Sequence, residues 1–255
     1  MLEQQVFATD HTHSPHLPVS SSPLPGRTCL HCLQRQVCFA GQVNTAFLKQ
    51  YDAIVEHRKP SPRRTHLFRE NDDFNYLYIV CSGSVKTYSH SPDGEEKITG
   101  FFFPGELIGC SGLGSHRYKD TAETLETTSI CAISFRRLEQ LFAEVPGLQT
   151  AVFEALSLEI QEKQRLLTLL CKRTAEERMA DFLVRHSTKL QQRQFSPTDF
   201  QLPMSRSDIG NLLNLSMETV SRIFTRLQKM GMLIVEGKSI QITNLAQLRV
   251  LTQPH

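Results

Sequence analysis

Residues 204–227 of the 255-residue chain read MSRSDIGNLLNLSMETVSRIFTRL. Apolar residues recur in this stretch at three- and four-residue steps on both sides of Asn214, a spacing that predicts two amphipathic helices joined by a tight turn. Leu215 follows the turn and is expected to fill the angle between the two helices. The stretch therefore predicts a helix-turn-helix. Its inward-facing residues are Ile209, Leu212, Leu213, Val220, Ile223 and Leu227.

The second helix of this motif is expected to carry polar side chains on its outer face, namely Glu218, Ser221, Arg222 and Thr225. Gly231 ends the helix, and residues 233–242 predict a hairpin wing. Residues 172–255 contain 12 Lys and Arg against 7 Asp and Glu, whereas the whole chain has a net charge of only +2. A helical corner can be a packing device alone. The polar outer face, the wing and the local basic excess together favour DNA binding.

A long helix is predicted before this domain, over residues 146–172. About seven turns of helix exceed what one face of a small β-domain can cover, which favours pairing with the same helix of a second copy. The alternative is a helix lying on its own domain. Beyond the helix, Thr174 and Glu177 have the spacing of a capping box. The apolar stripe of the long helix consists of Phe153, Leu156, Ile160, Leu167 and Leu170.

Residues 46–145 predict a β-rich domain. Short apolar runs such as residues 77–80 and 97–103 alternate with glycine-containing turns such as residues 82–84, and residues 128–134 predict a final alternating strand. Short strands and turns at regular spacing predict a barrel or a roll. The chain as a whole is therefore predicted to be α+β.

Three cysteines near the amino terminus form the clearest candidate site. Cys29 and Cys32 are separated by two residues, and Cys38 follows six positions after Cys32. Thiols at this spacing can converge from one loop onto an inorganic centre, with a fourth ligand from elsewhere in the fold. The spacing alone leaves an iron–sulfur cluster, a zinc ion and thiol-redox chemistry open. Three other cysteines are interpreted as small buried apolar residues: Cys81, Cys110 and Cys171.

Several function classes are not expected. The sequence has no apolar stretch long enough to span a bilayer, so no membrane association is predicted and the chain is expected to be cytoplasmic. Because no nucleophile–base pair or carboxylate dyad stands out, the chain is not predicted to be an enzyme. The predicted organisation is a flexible amino-terminal segment, a cysteine cluster loop, a β-roll sensor domain, a dimerisation helix and a DNA-binding domain, over residues 1–28, 29–45, 46–145, 146–172 and 173–246.

The order of these features resembles that of a known family. A β-roll, a long helix and a winged helix-turn-helix with Glu-Thr-Val-Ser-Arg at residues 218–222 are similar to the superfamily of the cyclic-AMP receptor and the fumarate–nitrate regulator (CRP/FNR). The cysteine loop resembles the FNR branch in particular, as do EKITGF at residues 96–101 and AEER at residues 175–178. The resemblance spans residues 29–248. It implies a cyclic-nucleotide-binding-like β-roll, a long dimerisation helix and a C-terminal winged helix-turn-helix in a homodimer.

The resemblance also implies a cofactor. Members of the FNR branch bind a [4Fe-4S] cluster through three cysteines at this spacing and one distant cysteine in the roll. Cys110 and Cys131 are the candidates for the distant ligand. Cys131 is chosen because its stretch TSICAI matches the family's ligand strand, whereas Cys110 follows a glycine turn where the family usually has an apolar residue. The implied metal ligands are Cys29, Cys32, Cys38 and Cys131.

DNA readout follows from the same resemblance, which implies a two-fold symmetric double-stranded site of the TTGAT–ATCAA type. Arginine can donate to guanine, and glutamate can accept from the amino group of cytosine, so a G·C pair within the site offers partners for Arg222 and Glu218. RNA polymerase is the further partner expected of such a regulator. The residues expected to contact DNA are Glu218, Ser221, Arg222, Thr219, Ser205 and Arg206.

Cyclic-nucleotide binding is not expected. The cyclic-AMP receptors hold the phosphate with an Arg-Ser or Arg-Thr pair, whereas this chain has Lys-Asp-Thr at residues 119–121, although Gly105 and Glu106 keep the family's pattern. The carboxylate of Asp120 would repel a phosphate. The predicted function is that of an oxygen- or redox-responsive transcription regulator that, as a cluster-loaded dimer, binds symmetric promoter sites to control anaerobic gene expression. The alternative is a zinc-stabilised or thiol-redox DNA-binding regulator without iron.

Overall fold

The computed structural model describes residues 28–32, 34–38, 41 and 43–253. All but the last residue of the predicted flexible segment 1–28 lies outside the described residues. Within the described chain, no helix is both long enough and apolar enough to cross a membrane. The helices are α1 (Leu48–Asp52), α2 (Phe135–Phe142), α3 (Leu148–Lys172), α4 (Ala175–Gln192), α5 (Arg206–Leu213), α6 (Met217–Lys229) and α7 (Leu245–Val250).

The strands of the amino-terminal part are β1 (Val55–His57), β2 (His66–Phe68), β3 (Tyr76–Ser82), β4 (Val85–His90), β5 (Glu96–Phe102), β6 (Leu107–Ile108), β7 (Thr121–Thr124) and β8 (Ser129–Ser134). The C-terminal strands are β9 (Asp199–Gln201), β10 (Leu233–Glu236) and β11 (Ser239–Ile242). Short 3-10 helices are formed by Cys29–His31, Thr45–Phe47 and Cys110–Gly112.

Two four-stranded antiparallel sheets form the β-domain. Their strand orders are β1-β8-β3-β6 and β2-β7-β4-β5. One cluster of buried side chains joins both sheets to α2 and to the start of α3. The turn between β3 and β4 requires Gly83, which has a φ of 81° and whose added Cβ would lie 2.5 Å from Thr128 Oγ1. The two four-stranded sheets and their shared core confirm the predicted roll.

The last strand of the roll, β8, is buried on both faces, from Ser129 to Ile133. The prediction of an alternating strand is therefore wrong at this point. One face of β8 belongs to the roll's core, and the other is covered by the amino-terminal loop and α1, whose residues Cys29 and Tyr51 belong to the same buried cluster. This covering places the loop directly over the strand.

The long helix α3 follows Gly147, which has a φ of 81°. Leu148 at its start and Leu169 near its end are buried. Between them, three large apolar side chains of the predicted stripe are exposed by 59%, 56% and 62%, namely Phe153, Ile160 and Leu167. Leu156 and Leu170 of the stripe are half-buried. Three large apolar side chains of α3, spaced seven residues apart, are thus left uncovered within a single chain, with the exposed Lys163 between two of them.

The C-terminal domain contains the predicted winged helix-turn-helix. Helix α4 begins at the predicted capping box, in which Glu177 accepts a hydrogen bond from the Thr174 backbone N–H at 2.7 Å. Asn214 turns the chain between α5 and α6 with a φ of 55°. Gly210 allows the close approach of the two helices, since an added Cβ would lie 2.5 Å from the Leu215 carbonyl oxygen. Strands β10, β11 and β9 form the wing sheet.

Polar contacts join the roll to the C-terminal domain at two places. The Asn211 side chain of α5 donates to the Glu96 carbonyl and accepts from the Ile98 N–H, each at 2.7 Å. Elsewhere, Glu106 Oε1 lies 2.9 Å from both Lys189 Nζ and Arg193 Nη2 of α4 and the segment after it. These contacts hold α5 and the end of α4 against the roll.

Candidate metal centre and nucleic-acid interface

The three loop cysteines and Cys131 line one pocket on the roll. Cys29 is buried, whereas Cys32 and Cys38 are half-buried. The Cys29 backbone N–H donates to Asp52 Oδ1 at 2.9 Å, which attaches the loop to the last residue of α1. The structure therefore brings the four ligands expected from the sequence together.

Cys131 reaches this pocket from the middle of β8. It lies opposite His57 of β1 and Ile79 of β3, so its strand is paired on both sides. Its Sγ atom is 3.3 Å from His57 Nδ1. The other candidate, Cys110, is half-buried and hydrogen-bonded to Glu159 of α3, away from the residues that line the pocket. The strand thus supplies one thiol at a fixed position, and the loop supplies the rest.

A fifth thiol, that of Cys81, lines the same pocket. Its Sγ atom is 2.8 Å from Cys131 Sγ, and the residue is half-buried. The interpretation of Cys81 as a buried apolar residue is therefore wrong. The register of β3 against β8 shifts between Val80 and Ser82, and the sequence carries no sign of this irregularity. Cys171 is also misinterpreted, because it is exposed near the end of α3.

The pocket raises the pKa of its buried thiols. Burial raises the pKa of Cys29, and the Asp52 carboxylate and the neighbouring loop thiols raise it further. The hydrogen bond with Cys81, followed by burial, raises the pKa of Cys131. Negative charges in such a site repel one another, so the thiols are held neutral. A bound metal ion supplies positive charge and makes the thiolate the stable form instead.

The donors fit a thiolate-bound metal centre. Four cysteines match the ligation of a [4Fe-4S] cluster, and soft sulfur donors suit iron–sulfur clusters as well as zinc. A smaller mixed group is also present, because Cys29, Asp52 and His57 each place one donor atom within 4.8 Å of the others. Sulfur, oxygen and nitrogen donors of this kind suit a single zinc ion.

Helix α6 presents an open basic surface, lined by Ser221, Arg222, Thr225, Arg226 and Lys229. Its three cations follow at steps of four and three residues, so they lie on one side of the helix. Helix-turn-helix proteins place this helix in the major groove of DNA. Arg226 and Lys229 are absent from the residues predicted to contact DNA. The helical spacing from Arg222 would have identified both.

Glu218 and Arg222, the pair predicted to read bases, are both exposed. The pKa of Glu218 lies below its usual range because its own backbone N–H and the Ser216 hydroxyl hydrogen-bond to the carboxylate. Arg222 Nη2 donates to Thr219 Oγ1 at 3.4 Å. The charge of Arg222 also lowers the pKa of Glu218, so the two exposed side chains interact electrostatically even though each has another hydrogen-bond partner.

Ser205 and Arg206 at the start of α5 make contacts within the fold. Ser205 Oγ donates to Asp208 Oδ2 at 2.6 Å and accepts from the Asp208 N–H at 3.0 Å, which caps α5. The Arg206 guanidinium lies 4.9 Å from the centre of the Phe224 ring of α6. These contacts stabilise the junction of α5 and α6, beside the surface formed by the outer residues of α6.

Comparisons with known proteins follow the same division of the chain. Residues 58–145 match the family model described as a cyclic nucleotide-binding domain, and residues 177–251 match that of a Crp-like helix-turn-helix domain. The transcriptional activator protein Anr of Pseudomonas protegens is 42% identical over 223 residues, which cover 88% of this chain and 91% of that protein. The fumarate and nitrate reduction regulatory protein of Escherichia coli is 41% identical over 223 residues, which cover 86% of this chain and 89% of that protein.

A solved structure agrees with these matches. FixK2 from Bradyrhizobium japonicum is 27% identical and superimposes with a TM-score of 0.72, covering 78% of this chain and 98% of that one. The similarity therefore extends over the roll, the long helix and the C-terminal domain.

Proposed function

Because this chain belongs to the FNR branch of the CRP/FNR family of transcription regulators, we propose that it is a redox- or oxygen-responsive regulator that binds a [4Fe-4S] cluster. Membership of this family makes it a transcription regulator with a DNA-binding domain and not an enzyme, as predicted. The ligands proposed are the three loop cysteines and Cys131.

One observation carries the cluster proposal, namely the convergence of four family-matched cysteines on one pocket. When bound, the cluster supplies a redox-active and oxygen-sensitive centre. Cys131 fixes one corner of the site to a strand paired on both sides. The loop cysteines close the site, and the hydrogen bond from the Cys29 N–H to Asp52 aligns the loop with the strand. Ligand loss in the loop would therefore change how the loop covers β8.

The proposed active form is a homodimer. Phe153, Ile160 and Leu167 are exposed and recur every seven residues along α3, the spacing that brings two parallel helices into contact. Large apolar side chains in a contiguous row are typical of an interaction surface. A two-fold dimer of this kind presents two α6 helices to the two halves of a symmetric DNA site. Contact with RNA polymerase is proposed for the DNA-bound dimer.

Cyclic nucleotides are not proposed as ligands, despite the matching domain. Glu106 is engaged in ion pairs with Lys189 and Arg193; burial opposes its ionisation, but these cations outweigh burial and lower its pKa. Asp120 accepts a hydrogen bond from Ser111 Oγ at 2.6 Å and is buried where a phosphate-binding arginine is expected. A carboxylate at this position disfavours a phosphate.

The decisive experiment measures metal and sulfide in protein purified without oxygen. We expect four iron atoms and four acid-labile sulfides per chain, a brown colour, and binding to a TTGAT–ATCAA duplex that weakens after exposure to air. Colourless protein with no iron, and with DNA binding unaffected by air, would contradict the proposal.

A zinc-stabilised regulator is the second candidate, favoured by the grouping of Cys29, Asp52 and His57. It predicts about one zinc ion per chain and no sulfide. Asp52→Asn tests the difference, because an amide is a poorer zinc ligand but can still accept the Cys29 N–H bond. Loss of metal in this variant favours zinc, whereas full iron and sulfide content favours the cluster.

A further inference from the structure

We propose that Cys81 and Cys131 form a reversible disulfide when the pocket holds no cluster. The inference rests on the proposed function in one respect, namely that Cys131 is a cluster ligand. It starts from the distance of 2.8 Å between the two Sγ atoms. A disulfide bond is about 2.0 Å long, so the two sulfur atoms need to approach by only about 0.8 Å. The pair therefore constitutes a candidate modification site inside the proposed metal centre.

The strand pairing explains why the two thiols meet. Ile79 lies directly opposite Cys131, and Ser82 lies opposite Ser129, although the register shifts between Val80 and Ser82. Strand β3 thus carries one residue more than β8 over this interval, and that residue is Cys81. An extra residue at a bulge changes the direction of its side chain relative to a regular ladder. Cys81 is thereby brought beside the thiol of the neighbouring strand.

The chemistry needs only a small-molecule disulfide such as oxidised glutathione. Cys81 is half-buried and Cys131 is 7% exposed, so the more accessible Cys81 attacks first, as a thiolate. This step forms a mixed disulfide and releases one glutathione thiolate. Cys131 then attacks the Cys81 sulfur and expels the second glutathione thiolate. The two protein thiols lose two electrons, the glutathione disulfide gains two, and the two protons pass to the two glutathione molecules.

The bond would withdraw one ligand from the proposed centre. The three loop thiols would remain, but the fixed strand position would be occupied by the bond to Cys81. Cluster assembly would then require a dithiol reductant first. The protein would in this way stay unable to rebind a cluster after oxidation until the disulfide is reduced.

The test begins with metal-free protein reduced and kept without oxygen. One half is incubated with oxidised glutathione, both halves are alkylated while unfolded, and both are digested with trypsin. Cleavage after Arg69, Lys86, Lys119 and Arg136 gives peptides 70–86 and 120–136, each with one cysteine. We expect these two peptides to be linked in the oxidised sample and to separate after treatment with dithiothreitol. Cys110→Ser should keep the linked pair, and Cys81→Ser should lack it.

Reconstitution with ferrous iron and sulfide supplies a second measurement. Oxidised wild-type protein should gain its visible absorbance only after reduction, whereas Cys81→Ser protein treated in the same way should need no reductant. A stable glutathione adduct on Cys81, or linkage of peptide 120–136 to a loop peptide, would overturn the inference. Failure of fully reduced wild-type protein to take up iron would instead count against the proposed function. A circular dichroism spectrum equal to that of the wild type establishes that Cys81→Ser is folded.

Discussion

Two cysteines of the roll, Cys131 and Cys110, could complete the ligand set of the loop, and their surroundings distinguish them. Cys131 lies in the pocket of the loop thiols, whereas Cys110 is hydrogen-bonded to Glu159 of α3. We therefore expect Cys131→Ser to abolish cluster assembly, because a hydroxyl is a poor ligand for cluster iron. Cys110→Ser should retain full iron. Iron and acid-labile sulfide per chain after anaerobic reconstitution measure both outcomes.

The control for this prediction concerns Cys81, which lies 2.8 Å from Cys131 and could offer a substitute thiol. A variant with serine at both positions removes this possibility. Iron retained in the double variant but lost in Cys110→Ser would assign the fourth ligand to Cys110.

Arg222 on the outer face of α6 is expected to read a guanine. Its removal should cost about 1–3 kcal/mol of binding free energy and should flatten the preference for the G·C pair of each half-site. The alternative is an ion pair with Glu218 inside the helix, worth a few tenths of a kcal/mol. Binding of Arg222→Ala to duplexes with each of the four bases at that position measures the effect. If Arg222→Ala still discriminated fully between the four bases, the ion pair with Glu218 would be the only remaining interpretation of Arg222.

Lys229 provides the matched control for base readout. It lies on the same surface and is exposed, so Lys229→Ala should weaken binding to all sequences about equally and lower the salt dependence. Lys238 of the wing is a poorer control, because its Nζ donates to the Pro203 carbonyl at 2.6 Å. Substitution of Lys238 would remove a charge and would also break this hydrogen bond within the wing domain.

At the level of single residues, helical positions are predicted well and strand irregularities are not. The inward leucines of the helix-turn-helix follow from the 3.6-residue period, and Asn214 is found where that period is interrupted by a left-handed turn. Cys81 does not follow from such a period, because the position of a bulge depends on the register between two distant strands. The thiol pair with Cys131 therefore emerges only from the folded chain.

At the level of secondary-structure elements, α3 is predicted to form the dimer contact. The exposed row of Phe153, Ile160 and Leu167 lies on one side of the helix. Ile160→Glu should give monomers and weak DNA binding while leaving the iron content unchanged, because a charge cannot be buried between two paired helices. Sedimentation velocity of the iron-loaded protein measures the assembly.

Leu158 serves as the matched control for this experiment. It is 60% exposed on the same helix but lies about 200° around the axis from Ile160. Leu158→Glu should therefore leave the dimer intact. An unchanged dimer in Ile160→Glu would instead assign the apolar row of α3 to contacts within one chain.

Helix α4 contains a histidine whose ionisation opposes folding. His186 contacts the rings of Phe103 of the roll and Phe200 of the C-terminal domain, with ring centres 4.8 Å and 4.9 Å away. Burial lowers the pKa of His186 to about 4, and the charges of Lys189 and Arg193 act in the same direction. The folded chain therefore holds this imidazole neutral between the two domains.

A pH dependence of stability follows from the lowered pKa. The pKa of an unfolded histidine is about 6.5. The contribution of neutral His186 to the free energy of unfolding is therefore fully present above that pH, and it is lost as the pH falls towards 4. His186→Phe removes this component. From about pH 7 to pH 5, the wild type should lose about 2 kcal/mol more free energy of unfolding than the variant. Urea titrations measure it, with substitution of the exposed His90 as control. Equal losses in the wild type and His186→Phe would contradict the assignment.

For the molecule as a whole, the sequence predicts the parts more completely than their arrangement. Periodicity and turn residues indicate the roll, the long helix and the winged domain, because each depends on local spacing. The contacts between domains join residues more than 80 positions apart, as for Glu106 with Lys189 and Asn211 with Glu96. Such pairs leave no periodic signal. The pocket of thiols was predicted only because the resemblance supplied its distant member.

The position of α5 beside β5 has a consequence for solubility. β5 is the last strand of its sheet, and an uncovered strand edge offers unpaired backbone groups to strands of other molecules. Here the Asn211 amide bonds the Glu96 carbonyl and the Ile98 N–H, as a neighbouring strand would. Asn211→Ala should therefore raise concentration-dependent light scattering, while Gln228→Ala on the exposed face of α6 should not.

The helix that positions the DNA-reading surface thus also shields the sheet from intermolecular strand addition. Any motion that lifted α5 from the roll would uncover this edge. A large displacement of the DNA-binding domain away from the roll would therefore favour aggregation of the protein.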